Sequence, residues 1–109
     1  MADKAIQLDQ ASFDELTSQP GSVVLIDFWA EWCPPCKILG PTIDEIAGEV
    51  GESIAVTKLD VDHNKELAAK FGISSIPTVV ILVDGKEVER FVGVQPKDVY
   101  LDALASHAA

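Results

Sequence analysis

The chain has 109 residues and a net charge of −10, from eight Lys and Arg against eighteen Asp and Glu. Apolar residues make up 48% of it, which is enough to bury a core and excludes an intrinsically disordered chain, and at this length we expect residues 1–109 to form a single domain. The acidic charge would repel a phosphate backbone, so we also exclude nucleic-acid binding.

The first ten residues, MADKAIQLDQ, are charged and lack the continuous apolar segment of a signal peptide. No stretch of the sequence approaches the roughly 20 apolar residues of a membrane-spanning helix. We therefore expect a soluble, cytoplasmic protein that does not bind a membrane.

The first two predicted elements are a strand and a short helix. Residues 4–8 favour a strand, and the segment SFDE that follows has the spacing of a capping box. In such a box Ser12 would accept a hydrogen bond from an early helix amide and Glu15 would reach back. The Pro20-Gly21 pair would end this helix.

The next two elements are a buried strand and a long helix. Residues 23–29, VVLIDFW, form a nearly unbroken β-branched and aromatic run, which is typical of a strand buried on both faces and predicts the central strand. From Cys33 to Val50 the apolar residues follow helical spacing. Pro41 lies inside this helix, so we expect a kink near Gly40.

A second strand and helix pair follows in the third quarter of the sequence. Residues 54–61, IAVTKLDV, predict a strand. The segment NKELAAKFG predicts a helix with Asn64 as its N-cap and Gly72 at its end.

A hairpin and a final helix complete the pattern. Residues 78–83 and 87–92 predict two antiparallel strands joined at Asp84-Gly85, a pair that favours a turn with positive φ. Pro96 then begins a helix, since proline suits the first turn. The resulting order, β-α-β-α-β-α-β-β-α, predicts an α/β fold with a mixed sheet covered by helices.

The two cysteines of the chain stand three residues apart in WCPPCK, at the predicted junction of the central strand and its helix. A helix start stabilises an anion, so Cys33 would form a thiolate easily, and Cys36 lies close enough to bridge it. One sulfur could attack a disulfide and the other could resolve the product. A pair of buried structural thiols is the plainer alternative. A zinc site is disfavoured because the two histidines, His63 and His107, lack ligand spacing, so we expect no metal within the chain.

The sequence resembles the thioredoxin family over essentially its whole length. Several separated segments carry the resemblance, in the family's order: DFWAEWCPPCK at 27–37, the in-helix Pro41, KLDVD at 58–62, GISSIPT at 72–78, DGK at 84–86 and VGV at 92–94. The resemblance implies the thioredoxin fold, a central mixed five-stranded sheet flanked by four helices, and general protein-disulfide reduction. It also implies that Cys33 is the exposed nucleophile and Cys36 the more buried resolving cysteine.

Asp27 is a carboxylate inside the apolar central strand. It alternates onto the same face as Val23, Leu25 and Trp29, so we expect burial that raises its pKa and lets it exchange a proton near neutral pH. The alternative is a side chain that faces a water-filled crevice or caps a loop. The resemblance points to proton transfer with Cys36.

Lys58 lies on the following strand, and two interpretations of it stay open. Its charge could tune the proton affinity of Asp27, or it could be an ordinary solvated lysine.

A substrate-binding surface is implied by the resemblance. The Ile76–Pro77 bond would be cis and face the cysteines, leaving the backbone of Ile76 free to pair with an extended substrate segment. The residues expected to contact substrate are Trp32, Ile76, Pro77, Gly93 and Val94. For each of them core packing or a strand-end turn is the plainer alternative, and Trp29 is expected to support the loop from behind.

Pro34 departs from the family pattern, which most often has Gly-Pro between the cysteines. We expect Pro34 and Pro35 to tune the redox potential, in a direction that stays open. Since both lack an N–H group, the Cys36 amide is the nearby backbone donor left for Cys33.

The resemblance further implies a monomeric electron carrier with no bound cofactor beyond its redox-active disulfide. Disulfide-containing proteins would be its substrates, and a thioredoxin reductase drawing on NADPH or ferredoxin would re-reduce it. Two alternative functions are a disulfide oxidase or isomerase, and a thioredoxin-fold binding subunit with a role independent of redox chemistry.

Overall fold

Strands and helices follow one another in the predicted order in the computed structural model, which describes residues 5–108. The elements are β1 (Ile6–Gln7), α1 (Gln10–Thr17), β2 (Val23–Trp29), α2 (Pro34–Glu49), β3 (Ile54–Asp60), α3 (Lys65–Lys70), β4 (Thr78–Val83), β5 (Lys86–Val92) and α4 (Lys97–His107). The predicted first strand is shorter than expected, and residue 4 of its range lies outside the described residues.

β2 lies in the middle of a five-stranded sheet with the strand order β1-β3-β2-β4-β5. β1, β3 and β2 run parallel, whereas β4 is antiparallel to β2 and β5 is antiparallel to β4. Asp84 and Gly85 both have positive φ in the turn between β4 and β5, as their sequence predicts. The mixed sheet flanked by four helices and the central position of β2 are therefore confirmed.

The helices cover both faces of the sheet. On one face, side chains of α2 and α4 pack with Val23 and Leu25 of β2. On the other face, side chains of α1 and α3 pack with Val24, Ile26 and Phe28. Alternating side chains of β2 thus belong to two separate cores, one on each face of the sheet, which explains why the β2 sequence is continuously apolar. Within residues 5–108, no helix has the length and apolar content needed to cross a membrane.

The predicted capping box of α1 is wrong by one turn. Asp9 is the N-cap, and its carboxylate accepts a hydrogen bond of 2.9 Å from the amide of Ser12. The Ser12 hydroxyl accepts in return from the amide of Asp9, also at 2.9 Å. Ser12 therefore occupies the third position of the helix instead of its cap, and Glu15 has no part in the box.

Two other helix starts also differ from expectation. Asn64 precedes α3 but makes no side-chain cap bond, because its amide group donates to the carbonyl of Asp60 at 3.1 Å. Pro96 is the N-cap of α4, one position before the first turn. α2 continues unbroken through Pro41, and the expected kink stays a prediction.

Replacing Asp9 by Ala removes the observed cap of α1, and we predict a fall in Tm of about 5 °C at pH 7. Hydrogen bonds from Ser12 hold the pKa of Asp9 below its ordinary value, so the stability it adds is present above that value and is lost as the pH falls through the folded-state pKa. Thermal unfolding at pH 7 and at about pH 3 measures both effects.

Glu15→Ala is the matched control, since it removes a carboxylate from the same helix without touching the observed cap. A larger loss of Tm in Glu15→Ala than in Asp9→Ala would restore the box predicted from sequence.

Candidate active site

Cys33 and Cys36 form a disulfide bond at the start of α2, with their Cα atoms 5.3 Å apart. Cys33 is the N-cap, and its sulfur accepts a hydrogen bond of 3.3 Å from the amide of Cys36. Pro34 and Pro35 occupy the first two helical positions and have no N–H group, so this amide is the first that the helix can offer. The expected donor to Cys33 is confirmed.

Both cysteines are buried in the disulfide-bonded state, which corrects the expectation of an exposed Cys33. Cys33 is 4% exposed and Cys36 is 2% exposed. Ala30 packs directly against them, and Trp29 and Ile76 lie at the edge of the same cluster. The loops before α2 and β4 therefore cover the sulfurs, and Cys33 Sγ lies 3.8 Å from the carbonyl oxygen of Ile76.

Asp27 is 1% exposed, as its place in β2 predicts, and neither of its carboxylate oxygens has a hydrogen-bond partner. Burial raises its pKa to about 7 because the ionised form loses its hydration. The positive charge of Lys58 opposes this rise, and the negative charge of Asp44 adds to it. Asp27 can therefore gain or lose a proton close to neutral pH.

A crevice of about 290 Å³ opens beside α2 and reaches the inner residues of the site. Asp27 and Cys36 both line it, together with Trp29, Lys58 and Asp44. Its volume is sufficient for several water molecules. Both interpretations of Asp27 from the sequence thus hold in part, since the carboxylate is buried and also lies at a crevice.

Lys58 is buried and paired, so its interpretation as a solvated lysine is wrong. It is 9% exposed, and its ammonium lies 2.9 Å from Oδ2 of Asp44. Asp44 was not among the site residues predicted from the sequence. A signal was present, because Cys36, Gly40 and Asp44 stand at i, i+4 and i+8 and must share one face of α2.

The expected substrate surface is only partly exposed. Trp32 is 67% exposed and its indole N–H donates to Asp62 at 2.8 Å, and Val94 is 45% exposed. Pro77 follows a cis bond from Ile76, as expected, but it is buried, and its carbonyl accepts from the amide of Gly93 at 2.8 Å. Ile76 and Gly93 are half-buried.

A groove of about 400 Å³ adjoins this surface between Trp32 and Ile76. Ile38 on the first turns of α2, which the sequence analysis did not single out, is 69% exposed.

The two histidines pair with different carboxylates. His63 contacts Asp60 at 3.0 Å, and His107 contacts Glu89 at 3.0 Å. Among the residues that the structure describes, no three His, Cys, Asp or Glu side chains are grouped so that they could hold a metal ion.

Asp27→Asn removes the buried carboxyl group at nearly unchanged size. The folded-state pKa of about 7 lies above the ordinary value of 3.8, so the stability that the bound proton adds is complete below that value and is lost as the pH rises through 7. We predict that wild type loses about 4 kcal/mol of unfolding free energy relative to Asp27→Asn between roughly pH 4 and pH 8. Urea unfolding of both oxidised proteins over this range measures the difference. Parallel curves would contradict the burial of an ionising carboxylate.

Comparison with known proteins gives a consistent result. The sequence model of the thioredoxin family matches residues 4–106. Thioredoxin of Bacillus subtilis is 42% identical over 102 residues, which are 94% of this chain and 96% of that protein. Thioredoxin of Griffithsia pacifica, which aligns with 93% of each chain, is 43% identical.

Solved structures agree with the sequences. A point mutant of the thioredoxin from Halobacterium salinarum NRC-1 superimposes with a TM-score of 0.87 at 37% identity, covering 100% of this chain and 96% of its own. The thioredoxin of Malassezia sympodialis gives 0.83 at 32% identity, with coverage of 96% and 92%. The fold is therefore the thioredoxin fold, and the disulfide at the start of α2 is a redox centre for dithiol–disulfide exchange. Identity at this level over nearly the whole length means that the chain belongs to the thioredoxin family and is a protein-disulfide oxidoreductase.

Proposed function

We propose that this chain reduces disulfide bonds in other proteins, with Cys33 as the nucleophile and Cys36 as the resolving cysteine. The observation that carries this proposal is the hydrogen bond from the Cys36 amide to Cys33 Sγ at the N-cap of α2. Once the disulfide is reduced, the same amide and the helix dipole would stabilise a thiolate on Cys33. Cys36 sits inside the helix and against the crevice, where a second thiolate is harder to form.

The exchange takes two steps. The Cys33 thiolate attacks one sulfur of a substrate disulfide, forming a mixed disulfide and releasing the other substrate sulfur as a thiolate. The Cys36 thiolate then attacks Cys33 Sγ, which forms the Cys33–Cys36 disulfide and releases the second substrate thiolate. Two electrons pass to the substrate, and the protein is left oxidised.

Asp27 takes the proton that Cys36 must lose before the second step. Both residues line one crevice, and a pKa of about 7 lets the carboxylate accept a proton at neutral pH. Direct contact is not required, because the crevice is wide enough for a bridging water. Lys58 tunes this carboxylate through its charge.

The substrate lies across the rim formed by Trp32, Ile76, Pro77, Gly93 and Val94. Trp32 and Val94 offer exposed apolar area, and the carbonyl of Ile76 lies beside Cys33 Sγ. An extended segment could pair with this backbone, and its recognition would then depend little on side chains. Buried Pro77 would shape the rim from below.

The oxidised protein needs a reductant before it can act again. We propose a thioredoxin reductase supplied by NADPH or ferredoxin as that partner, which makes the chain an electron carrier with no bound cofactor beyond its own disulfide. A reducing compartment such as the cytoplasm suits this role, and one domain acting as a monomer is sufficient for it.

Cys36→Ser should trap a substrate, because the mixed disulfide on Cys33 then has no resolving thiol. We predict a stable adduct with insulin in this variant, and adduct formation slower by about a hundredfold in Cys33→Ser. Mass spectrometry after acid quenching counts the adducts. Trapping by Cys33→Ser at the faster rate would reverse the two roles.

Pro34→Gly should change the equilibrium constant of the protein with glutathione while leaving the fold intact, since Pro34 is exposed at the first position of α2. Proline restricts the reduced loop, and its ring also constrains the closed one, so the two states are affected unequally. The constant is measured by quenching equilibrated mixtures and separating both forms. Equal constants for the two proteins would exclude a tuning role for Pro34.

A further inference from the structure

Two carboxylates, those of Asp27 and Asp44, line the same crevice as Lys58, but Lys58 forms an ion pair only with Asp44. Asp27 and Lys58 are direct partners in the register of β2 and β3, so their side chains leave the sheet side by side on one face. The ammonium of Lys58 nevertheless lies 2.9 Å from Oδ2 of Asp44 on α2, and Asp27 is left without any hydrogen bond. The pairing therefore separates the lysine from its strand neighbour.

Asp44 is itself held in place from a second direction. Its Oδ1 accepts a hydrogen bond of 3.2 Å from the amide of Ala5, directly before β1. β1 pairs with β3 at Lys58, through Gln7. The side chain of Asp44 is 18% exposed and that of Lys58 is 11% exposed, so this ion pair is only lightly screened by solvent.

We propose that Asp44 is a positioning residue, whose carboxylate holds the Lys58 ammonium at the outer side of the crevice so that Asp27 stays unpaired and able to accept a proton from Cys36. This inference rests on the proposed role of Asp27 in the exchange reaction. In this proposal Asp44 controls proton transfer by Asp27 indirectly, through the position of Lys58.

Other charged groups around the crevice leave this assignment unchanged. Glu31 and Lys37, from the loop after β2 and from α2, form an ion pair of 2.8 Å at its mouth, so their charges offset each other. β4 places Val79 opposite Asp27 and brings no charge there. From α4, the Tyr100 hydroxyl stays neutral near pH 7, because burial raises its pKa. Within residues 5–108, the charged or titratable groups facing Asp27 are thus Lys58, Asp44 and, in the reduced protein, Cys36.

Loss of the Asp44 charge would act on Asp27 in two ways with the same sign. The negative charge of Asp44 raises the pKa of Asp27, and the charge of Lys58 lowers it. In Asp44→Asn the first influence disappears, and the freed ammonium can turn to its strand neighbour, strengthening the second. Both changes favour the ionised form of Asp27.

The test is the titration of the Asp27 carboxyl carbon by NMR in the oxidised protein, in Asp44→Asn and in Glu45→Gln. We expect the midpoint to fall by about one pH unit in Asp44→Asn. Glu45→Gln is the matched control, because it makes the same change in net charge at the next residue, which is exposed and pairs with Lys97. An unchanged midpoint in Asp44→Asn, or an equal fall in Glu45→Gln, would overturn the proposal.

A second comparison separates positioning from a direct charge effect. In a Lys58→Met background the fall caused by Asp44→Asn should shrink to less than half, since no ammonium remains to be released. A full-sized fall in that background would mean that Asp44 acts by its own charge alone. If Asp44→Asn does not fold, Asp44→Ser takes its place, because it removes the same negative charge and keeps a small polar side chain.

The titration measures the ionisation of Asp27 in the oxidised protein and does not depend on the exchange reaction. Trapping of insulin by Cys36→Ser tests the exchange function separately. A failed titration with normal trapping would reject only the role of Asp44, and failed trapping would reject the exchange mechanism.

Discussion

β2 is hydrogen-bonded to a strand on each side, and every side chain from Val23 to Phe28 is buried. This constraint determines the rest of the molecule. Alternating residues of β2 supply two cores, so helices must cover both faces of the sheet. The one ionisable side chain in that run, Asp27, is buried with its neighbours and acquires a pKa of about 7. The same strand ends just before the loop that leads to Cys33, so the carboxylate and the cysteine pair are brought to one end of the sheet.

The sulfur atoms of Cys33 and Cys36 have different environments although they are bonded to each other. Cys33 caps α2 and, although buried, lies near the carbonyl of Ile76, which belongs to the rim proposed to bind substrate. Cys36 faces the crevice that leads to Asp27. In the proposed mechanism, nucleophilic attack and proton transfer would therefore take place on two sides of one helix start. The helix N-terminus would stabilise the thiolate of Cys33, and the buried carboxylate would assist that of Cys36.

The sequence was sufficient to predict the order of the elements, the central position of β2 and the burial of Asp27, because these follow from the periodicity of apolar residues. It also predicted the amide donor to Cys33, because the two prolines that follow Cys33 have no N–H group. It could not predict the partner of Lys58, since Asp44 lies fourteen residues away on another element and only the packing of α2 on β3 joins them. The cap of α1 was misplaced because Asp9 and Ser12 both have capping side chains, and the choice between them depends on where the chain leaves β1. The burial of Cys33 was missed for a related reason, since Ala30 and Ile76, which pack against it, come from separate parts of the chain.

The most direct test of this account is the pH dependence of the second exchange step. Reduced protein mixed with an aromatic disulfide in a stopped-flow instrument releases one coloured thiolate on attack by Cys33 and a second on attack by Cys36. In wild type the second phase should accelerate with a midpoint near pH 7, the value at which Asp27 ionises. In Asp27→Asn it should be slower at neutral pH, with a midpoint no lower than the value of about 8.5 for an ordinary thiol, because burial disfavours the Cys36 thiolate. Identical profiles for the two proteins would contradict the account.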